Sequence, residues 1–286
     1  MFETGRLNPK DKVIVTVATT GAIPSKKDNP NLPTQPKEIA ASVIECWKAG
    51  ASVAHIHVRD DNDLGSMKFE KFKETVDRIR DAGCTIVLNL TTSGASNITD
   101  EDRMRPFMEL RPELASFDAG TMNWLHSSIF MNEPKFLEKL GTTMQEYDVK
   151  PEIEVFDLGM VYNALYYLKK GVLKAPLHFQ ICLGAPGGLP ATTEALLNVV
   201  NHLPADCTWG TFGIGKGAME ITMAAIAMGG GVRVGFEDNV YYHYGQLGTS
   251  NVQFIERVKR LATEMNKTIA TPDEVRQILG LKNCPV

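Results

Sequence analysis

His55 and His57 stand two residues apart in the run Val53-Ala54-His55-Ile56-His57-Val58-Arg59-Asp60, and they are two of only six histidines in the chain. A strand sends alternate side chains to opposite faces, so both imidazoles point the same way, one rung apart. Two imidazoles on a stiff backbone make half of a metal site. Neutral imidazole suits Zn, Cu, Fe and Ni, with zinc the common partner when one carboxylate completes the set. The same pair would also serve as hydrogen-bonding residues within a core. A carboxylate is offered by Gly231-Val232-Arg233-Val234-Gly235-Phe236-Glu237-Asp238-Asn239. Alternation there puts Arg233, Gly235 and Glu237 on one face and Val232, Val234 and Phe236 on the other. A charged Arg and Glu on the inner face of an apolar strand are costly unless used or paired with each other. Gly235 leaves room for a ligand or a close backbone approach. Asp238, next to a metal and an Arg, is a candidate general base; a capping Asp in a turn is the plainer alternative.

Other residues with chemical potential gather at strand ends. Asn89-Leu90-Thr91-Thr92-Ser93-Gly94 ends in hydroxyls that suit a carboxylate or enolate oxygen, and Ser116-Phe117-Asp118-Ala119-Gly120-Thr121 offers more of the same. Glu152 and Glu154 share one face of a further strand, with Asp157 beyond them. Phe212-Gly213-Ile214-Gly215-Lys216-Gly217 opens a helix, and a glycine turn with a Lys there suits a phosphate, or is only a tight turn. Gly184-Ala185-Pro186-Gly187-Gly188 is a second glycine-rich loop. His178 reads as a satisfied core histidine, while His126, His202 and His243 read as loop or surface residues without an evident partner.

The elements that must position these groups alternate along the chain. Strand-like runs cover Val13–Ala18, Ser52–Val58, Thr85–Leu90, Leu114–Asp118, Glu152–Phe156, Leu177–Leu183, Thr208–Ile214 and Val232–Glu237. Helical spacing covers Pro36–Ala49, Phe69–Arg80, Glu133–Tyr147, Leu158–Lys170, Thr193–Leu203, Gly217–Met228 and Asn251–Met265. A last helix starts at Thr271-Pro272-Asp273-Glu274, an N-cap with Pro in the first turn and Glu three residues on. Eight apolar strands alternating with helices predict a (β/α)8 TIM barrel, in which active sites lie at the C-terminal ends of the strands. The turn Thr19-Thr20-Gly21-Ala22-Ile23-Pro24 lacks the glycine pattern of a dinucleotide-binding open sheet. A single domain of 286 residues with a short C-terminal helical extension is expected, with the polar loop Ser25–Thr34 at the catalytic rim.

Composition narrows the class. The chain is 43% hydrophobic and 22% charged with net charge −4, so no basic balance points to nucleic acid, and no apolar run approaches a membrane span. Met1–Arg6 has no signal-peptide core. Cys46, Cys84, Cys182, Cys207 and Cys284 are widely spaced, as expected for reduced thiols in a cytoplasmic enzyme, with Cys46, Cys84 and Cys182 in apolar contexts that suit a packed core.

Nearly end to end, the chain resembles the β-keto acid cleavage enzymes. The likeness runs through Ala49-Gly50-Ala51-Ser52 into His55-Ile56-His57-Val58-Arg59, through Lys150-Pro151-Glu152-Ile153-Glu154-Val155-Phe156-Asp157, through Gly231–Asn239 and through Ile269-Ala270-Thr271-Pro272-Asp273-Glu274. The resemblance implies a zinc-dependent barrel, assembled as a homotetramer, that condenses a β-keto acid with acetyl-CoA to give acetoacetate and an acyl-CoA. It implies zinc on His55, His57 and Glu237, Asp238 as base assisted by Arg233, and substrate contacts from Thr91, Ser116 and Glu154. Thr91 stands where the family has Ser, and Ser116 where it has Thr. Ile23 replaces a first-loop Glu that meets a substrate amino group, so an uncharged acyl chain is expected. Gly213, Gly215 and Lys216 are candidates for the CoA phosphates. Two other functions use the same residues: a metal-dependent aldolase or hydrolase acting without CoA, and a non-catalytic metabolite-binding barrel, which would leave the inward Arg and carboxylates without a task.

Overall fold

Eight short strands pair in parallel and close on themselves. The computed structural model describes residues 7–94 and 98–282, so Met1–Arg6 and Cys284 lie outside the described residues. The barrel strands are β1 (Val15–Ala18), β2 (Val53–Ile56), β3 (Val87–Leu90), β4 (Leu114–Asp118), β5 (Lys150–Val155), β6 (His178–Leu183), β7 (Thr208–Gly213) and β8 (Gly231–Val234). Neighbours in sequence are neighbours in the barrel, and β8 pairs with β1 to close it. The surrounding helices are α1 (Pro36–Ala49), α2 (Phe69–Asp81), α3 (Asp100–Leu110), α4 (Pro134–Glu146), α5 (Leu158–Lys169), α6 (Thr193–His202), α7 (Ala218–Met228), α8 (Val252–Glu264) and α9 (Pro272–Leu279).

The strand pleat sorts the side chains. Ala54, Ile56, Leu88, Leu90, Ala115, Phe117, Ile153 and Val155 face the helices and join the main apolar cluster. The residues between them face the lumen. Val53, Val87 and Leu114 form an apolar floor with Ile14, and α9 covers it with Val275 and Leu279. Above that floor the lumen turns polar: His55 is in register with Asn89, and Glu152 with both Ser116 and His178. An apolar plug at the bottom and a polar layer at the top leave the C-terminal mouth as the place for chemistry.

Three sequence expectations change in detail. The first strand was read as Val13–Ala18, but Lys12–Val13 leaves the barrel to pair with Thr268–Ile269. The second was read through Val58, but it stops at Ile56, and Val58–Arg59 turns away into a hairpin with Gly65–Ser66. Helix α3 went unread because Pro106 interrupts it, removing one amide donor mid-helix; its start is nevertheless capped, Thr99 Oγ1 accepting from the Asp102 amide at 3.1 Å. No helix among the described residues is long and apolar enough to cross a membrane.

Candidate metal centre and active site

His55 points into the lumen one residue before its strand ends, and His57 lies at the break just beyond that end. Their rings stand 5.1 Å apart, centroid to centroid. Glu237 Oε1 lies 3.8 Å from His55 Nε2 and 3.3 Å from His57 Nε2. Ligand atoms about 2 Å from a tetrahedral zinc stand roughly 3.3 Å apart, so the spacing fits such an ion. Glu237 Oε2 is buried without a hydrogen-bond partner, which leaves it a free lone-pair oxygen at this place. Burial, followed by the charge of Arg233, lowers the His55 pKa to about 3, so its imidazole is neutral at ordinary pH, the form that ligates. Burial works against ionisation of Glu237, but Arg233, His57 and His55 outweigh it and hold the carboxyl well below the usual range.

Glu237 reaches the histidines by a route that alternation along a strand does not describe. Strand β8 stops at Val234, and Gly235 takes a φ of +142°. A Cβ there would lie 2.1 Å from the Ala18 carbonyl oxygen, so glycine is required by close approach to β1. The chain then turns, with the Asp238 and Asn239 amides both donating to the Gly235 carbonyl. Asn251 secures this turn: its Oδ1 accepts from the Phe236 amide at 2.9 Å, and its Nδ2 donates to the Thr19 carbonyl at 3.1 Å. The first loop presses on the same group, since Gly21 leaves no room for a Cβ beside Glu237 Cγ. Buried Arg59 holds that loop by donating to Thr20 Oγ1, the Gly21 carbonyl and the Pro24 carbonyl.

Arg233 is the hub. Its Nε and Nη2 each reach one Asp238 oxygen at 2.9 Å, a two-pronged pairing. Nη2 also donates to Glu237 at 2.6 Å and Nη1 to Glu154 at 3.1 Å, while the guanidinium lies 4.2 Å over the Phe212 ring. Asp238 is therefore bonded to the arginine and not used as a helix cap. Burial pushes its carboxyl up to about 6 against the pull of Arg233, with Glu237 adding to the rise. Glu154 lies in register with Asp118, and their carboxyls hydrogen-bond each other. Burial and then Asp118 raise the Glu154 pKa well above the ordinary value, so the pair holds a proton. Ser93 Oγ donates to Asp118 at 3.0 Å and lies 3.5 Å from Thr91 Oγ1, extending the polar rim to β3. Ser116 Oγ accepts from the Thr92 amide at 3.0 Å.

The two strand-five glutamates thus divide. Glu154 faces Arg233, whereas Glu152 lies deeper, accepting from Asn89 Nδ2 at 2.5 Å. Asn89 in turn lies 3.1 Å from His55 Nδ1, backing the ring from behind. His178 is a satisfied core histidine, 2.8 Å from Thr208 Oγ1 and 3.6 Å from Glu152. His55, Glu152 and Glu154 form a second grouping of ligand atoms. The His55 nitrogen nearer Glu152 is Nδ1, already met by Asn89, and Glu154 shares a proton with Asp118, so the His55–His57–Glu237 group fits an ion better.

Gly213, Gly215 and Lys216 come together on the wall of a cavity of about 760 Å³ that also touches Arg233 and Asp238. The glycines have backbone reasons of their own: a Cβ on Gly213 would meet Ala218 Cα at 2.9 Å, and Gly215 has a φ of +73°. His243, read as a surface residue without a partner, packs against Tyr242 and lines the same cavity. His202, also exposed, bonds the Asn198 carbonyl. Ile23 is 60% exposed in the first loop and is not drawn into the charged cluster. Sequence reading missed the roles of Asn89 and Asn251; a lone Asn in a strand or loop carries no spacing signal.

A family model described as beta-keto acid cleavage enzyme matches residues 12–281. The chain is 42% identical over 272 residues to the 3-keto-5-aminohexanoate cleavage enzyme of Fusobacterium nucleatum, covering 95% of this chain and 99% of that one. It is 36% identical to the 3-dehydrocarnitine:acetyl-CoA trimethylamine transferase of Rhizobium meliloti, covering 96% and 98%. Among solved structures, the ternary complex of ObcA with C4-CoA adduct and oxalate superposes with a TM-score of 0.80 at 19% identity, over 88% of this chain and 68% of that one, a likeness of fold.

Proposed function

Since the chain belongs to the β-keto acid cleavage enzyme family, we propose that it cleaves a β-keto acid against acetyl-CoA with zinc on His55, His57 and Glu237 and with Asp238 as the base. Acetyl-CoA-dependent cleavage of a β-keto acid is the family's reaction; we take it here as an acyl transfer that yields acetoacetate and an acyl-CoA. The observation that carries the residue assignment is the double contact of Arg233, on Asp238 with one edge and on Glu237 with another. A base and a metal carboxylate are thereby held on one cation.

When bound, zinc supplies a Lewis acid that polarises the 3-keto oxygen and acidifies C2. Asp238 takes the C2 proton, and Arg233 keeps the carboxylate aimed while its charge changes. The C2 carbanion attacks the acetyl thioester and CoA thiolate leaves. The thiolate then adds to the 3-keto carbon, the C2–C3 bond breaks, and acyl-CoA is formed. Asp238 returns its proton to C2 of acetoacetate, so the step closes without another acid. Thr91 and Ser116 at the β3 and β4 ends, with Glu154 beside Arg233, are assigned to the keto acid. The cavity walled by Gly213, Gly215 and Lys216 is assigned to CoA; its volume lies in the range of about 300–1,000 Å³ typical of ligand sites. Ile23, exposed in the first loop, is apolar at the position that the family likeness assigns to a substrate-charge contact, and on that likeness an uncharged acyl chain is favoured over an amino-bearing one. We take the enzyme to be a cytoplasmic homotetramer, on the family likeness and on the four buried, unbridged cysteines among the described residues.

The test is a panel of β-keto acids incubated with acetyl-CoA, reading acetoacetate. Apolar and neutral acyl chains are expected to turn over faster than amino-bearing ones. Equal consumption of the keto acid with acetyl-CoA left out would instead favour the aldolase or hydrolase reading.

A further inference from the structure

The cavity beside Asp238 holds positive charge that the chemistry at the metal group does not use. Its walls come from the loop after β7, from α7 and α8, and from the hairpin that pairs Tyr241–His243 with Gln246–Leu247. Arg257 of α8 lies flat over the Tyr242 ring, 3.8 Å from its centroid. Its Nη1 donates to the Tyr242 carbonyl at 2.8 Å and approaches Met219 Sδ at 3.7 Å. Arg260 adds a second cation by donating to the Tyr242 hydroxyl at 3.1 Å. These contacts fix the Arg257 guanidinium without neutralising it. Among the described residues, neither Arg257 nor Lys216 is in an ion pair, and both line the cavity. The acidic residues in the wall are Asp238, already taken by Arg233, and Glu220, which is exposed.

A partly buried cation held on an aromatic face, with no counter-charge, is arranged for an anion that comes with a ligand. A guanidinium presents a planar fork that matches phosphate with two bonds, and stacking it beforehand lowers the entropic cost of using it. Asp238 and Arg257 both line the cavity, so a ligand that fills it can set a reactive end at the base and an anionic end at the arginine. We propose that Arg257, backed by Tyr242, is the residue that reads the phosphate end of the acyl carrier and makes this site selective for a phosphorylated carrier over a bare pantetheine thioester. The proposal rests on the acetyl-CoA assignment made above and adds to it a residue outside the glycine turn.

Calorimetric titration of the full chain with acetyl-CoA and with acetyl-pantetheine tests it. The wild type should bind acetyl-CoA about tenfold or more tightly than acetyl-pantetheine, as a charge-assisted pair implies. Arg257→Gln keeps the stem and should lose that margin, weakening acetyl-CoA while leaving acetyl-pantetheine unchanged; Arg257→Lys should recover part of it. Unchanged acetyl-CoA affinity in Arg257→Gln overturns the proposal, and so does an equal loss for both ligands, which would mean a packing role. If the glutamine variant does not fold, Arg257→Lys and the salt dependence of the wild type carry the test. Acetyl-CoA affinity equal to wild type in the lysine variant and insensitive to potassium chloride overturns it. A wild type that binds neither thioester removes the acetyl-CoA assignment itself.

Discussion

Asp238, proposed above as the base, can serve only as a carboxylate, and its surroundings set when it is one. Burial lifts its pKa to about 6, against Arg233 and with help from Glu237. Below that pH the protonated form dominates, so kcat/KM is expected to fall about tenfold per unit as pH drops through 6, with a plateau above. A flat profile from pH 5 to 8 would contradict the base assignment. Asp238→Asn cannot accept the proton and should lower turnover by about 10²–10⁴-fold. Its metal content should stay at the wild-type level, because the ligand atoms belong to other residues; near-normal turnover would remove Asp238 from the mechanism. At this scale much was legible. The His55–His57 spacing and the inward Arg233 and Glu237 could be read from strand parity. Asn89 behind His55 and Asp118 against Glu154 could not, because each meets its partner across strands far apart in sequence.

The end of β8 shows how an element turns spacing into geometry. Strand parity pointed to Glu237, which does lie beside His55 and His57, but by another route: the strand has already ended, and a turn pinned by Asn251 delivers the carboxylate. Asn251 is 2% exposed and joins that turn to the Thr19 carbonyl and to Ser42 of α1. Asn251→Ala orphans the Phe236 amide and the Thr19 carbonyl, at about 1–3 kcal/mol for a buried unsatisfied group. Its urea midpoint should fall, and zinc affinity should fall about tenfold or more, as for other groups that orient ligands. Loss of stability with metal affinity intact would show that Asn251 acts only on the fold. The break after Ile56 has the same lesson: a continuous apolar run looks like one strand, yet Arg59 is drawn off to hold the first loop.

Across the molecule, the metal group ties β2, near the start of the barrel, to the loop after β8 at its close. An ion held there, as proposed, would therefore stabilise the closure itself. At free zinc one hundred times its dissociation constant, linkage contributes about 2.7 kcal/mol. For a chain of this size that corresponds to a rise in Tm of roughly 4–5 °C. A chelator should lower Tm by that amount, and the shift should vanish in His57→Ala; an equal shift in that variant would place the ion elsewhere. The sequence by itself determined the parallel barrel and which polar residues its strands carry to the mouth, because pleat and helix periodicity are local properties of neighbouring residues. Only the tertiary structure decided which glutamate faces Arg233 and which backs His55, and that Arg257 and Lys216 share one cavity. Those outcomes depend on barrel closure and on loop paths, which bring together groups whose separation along the chain carries no periodic signal.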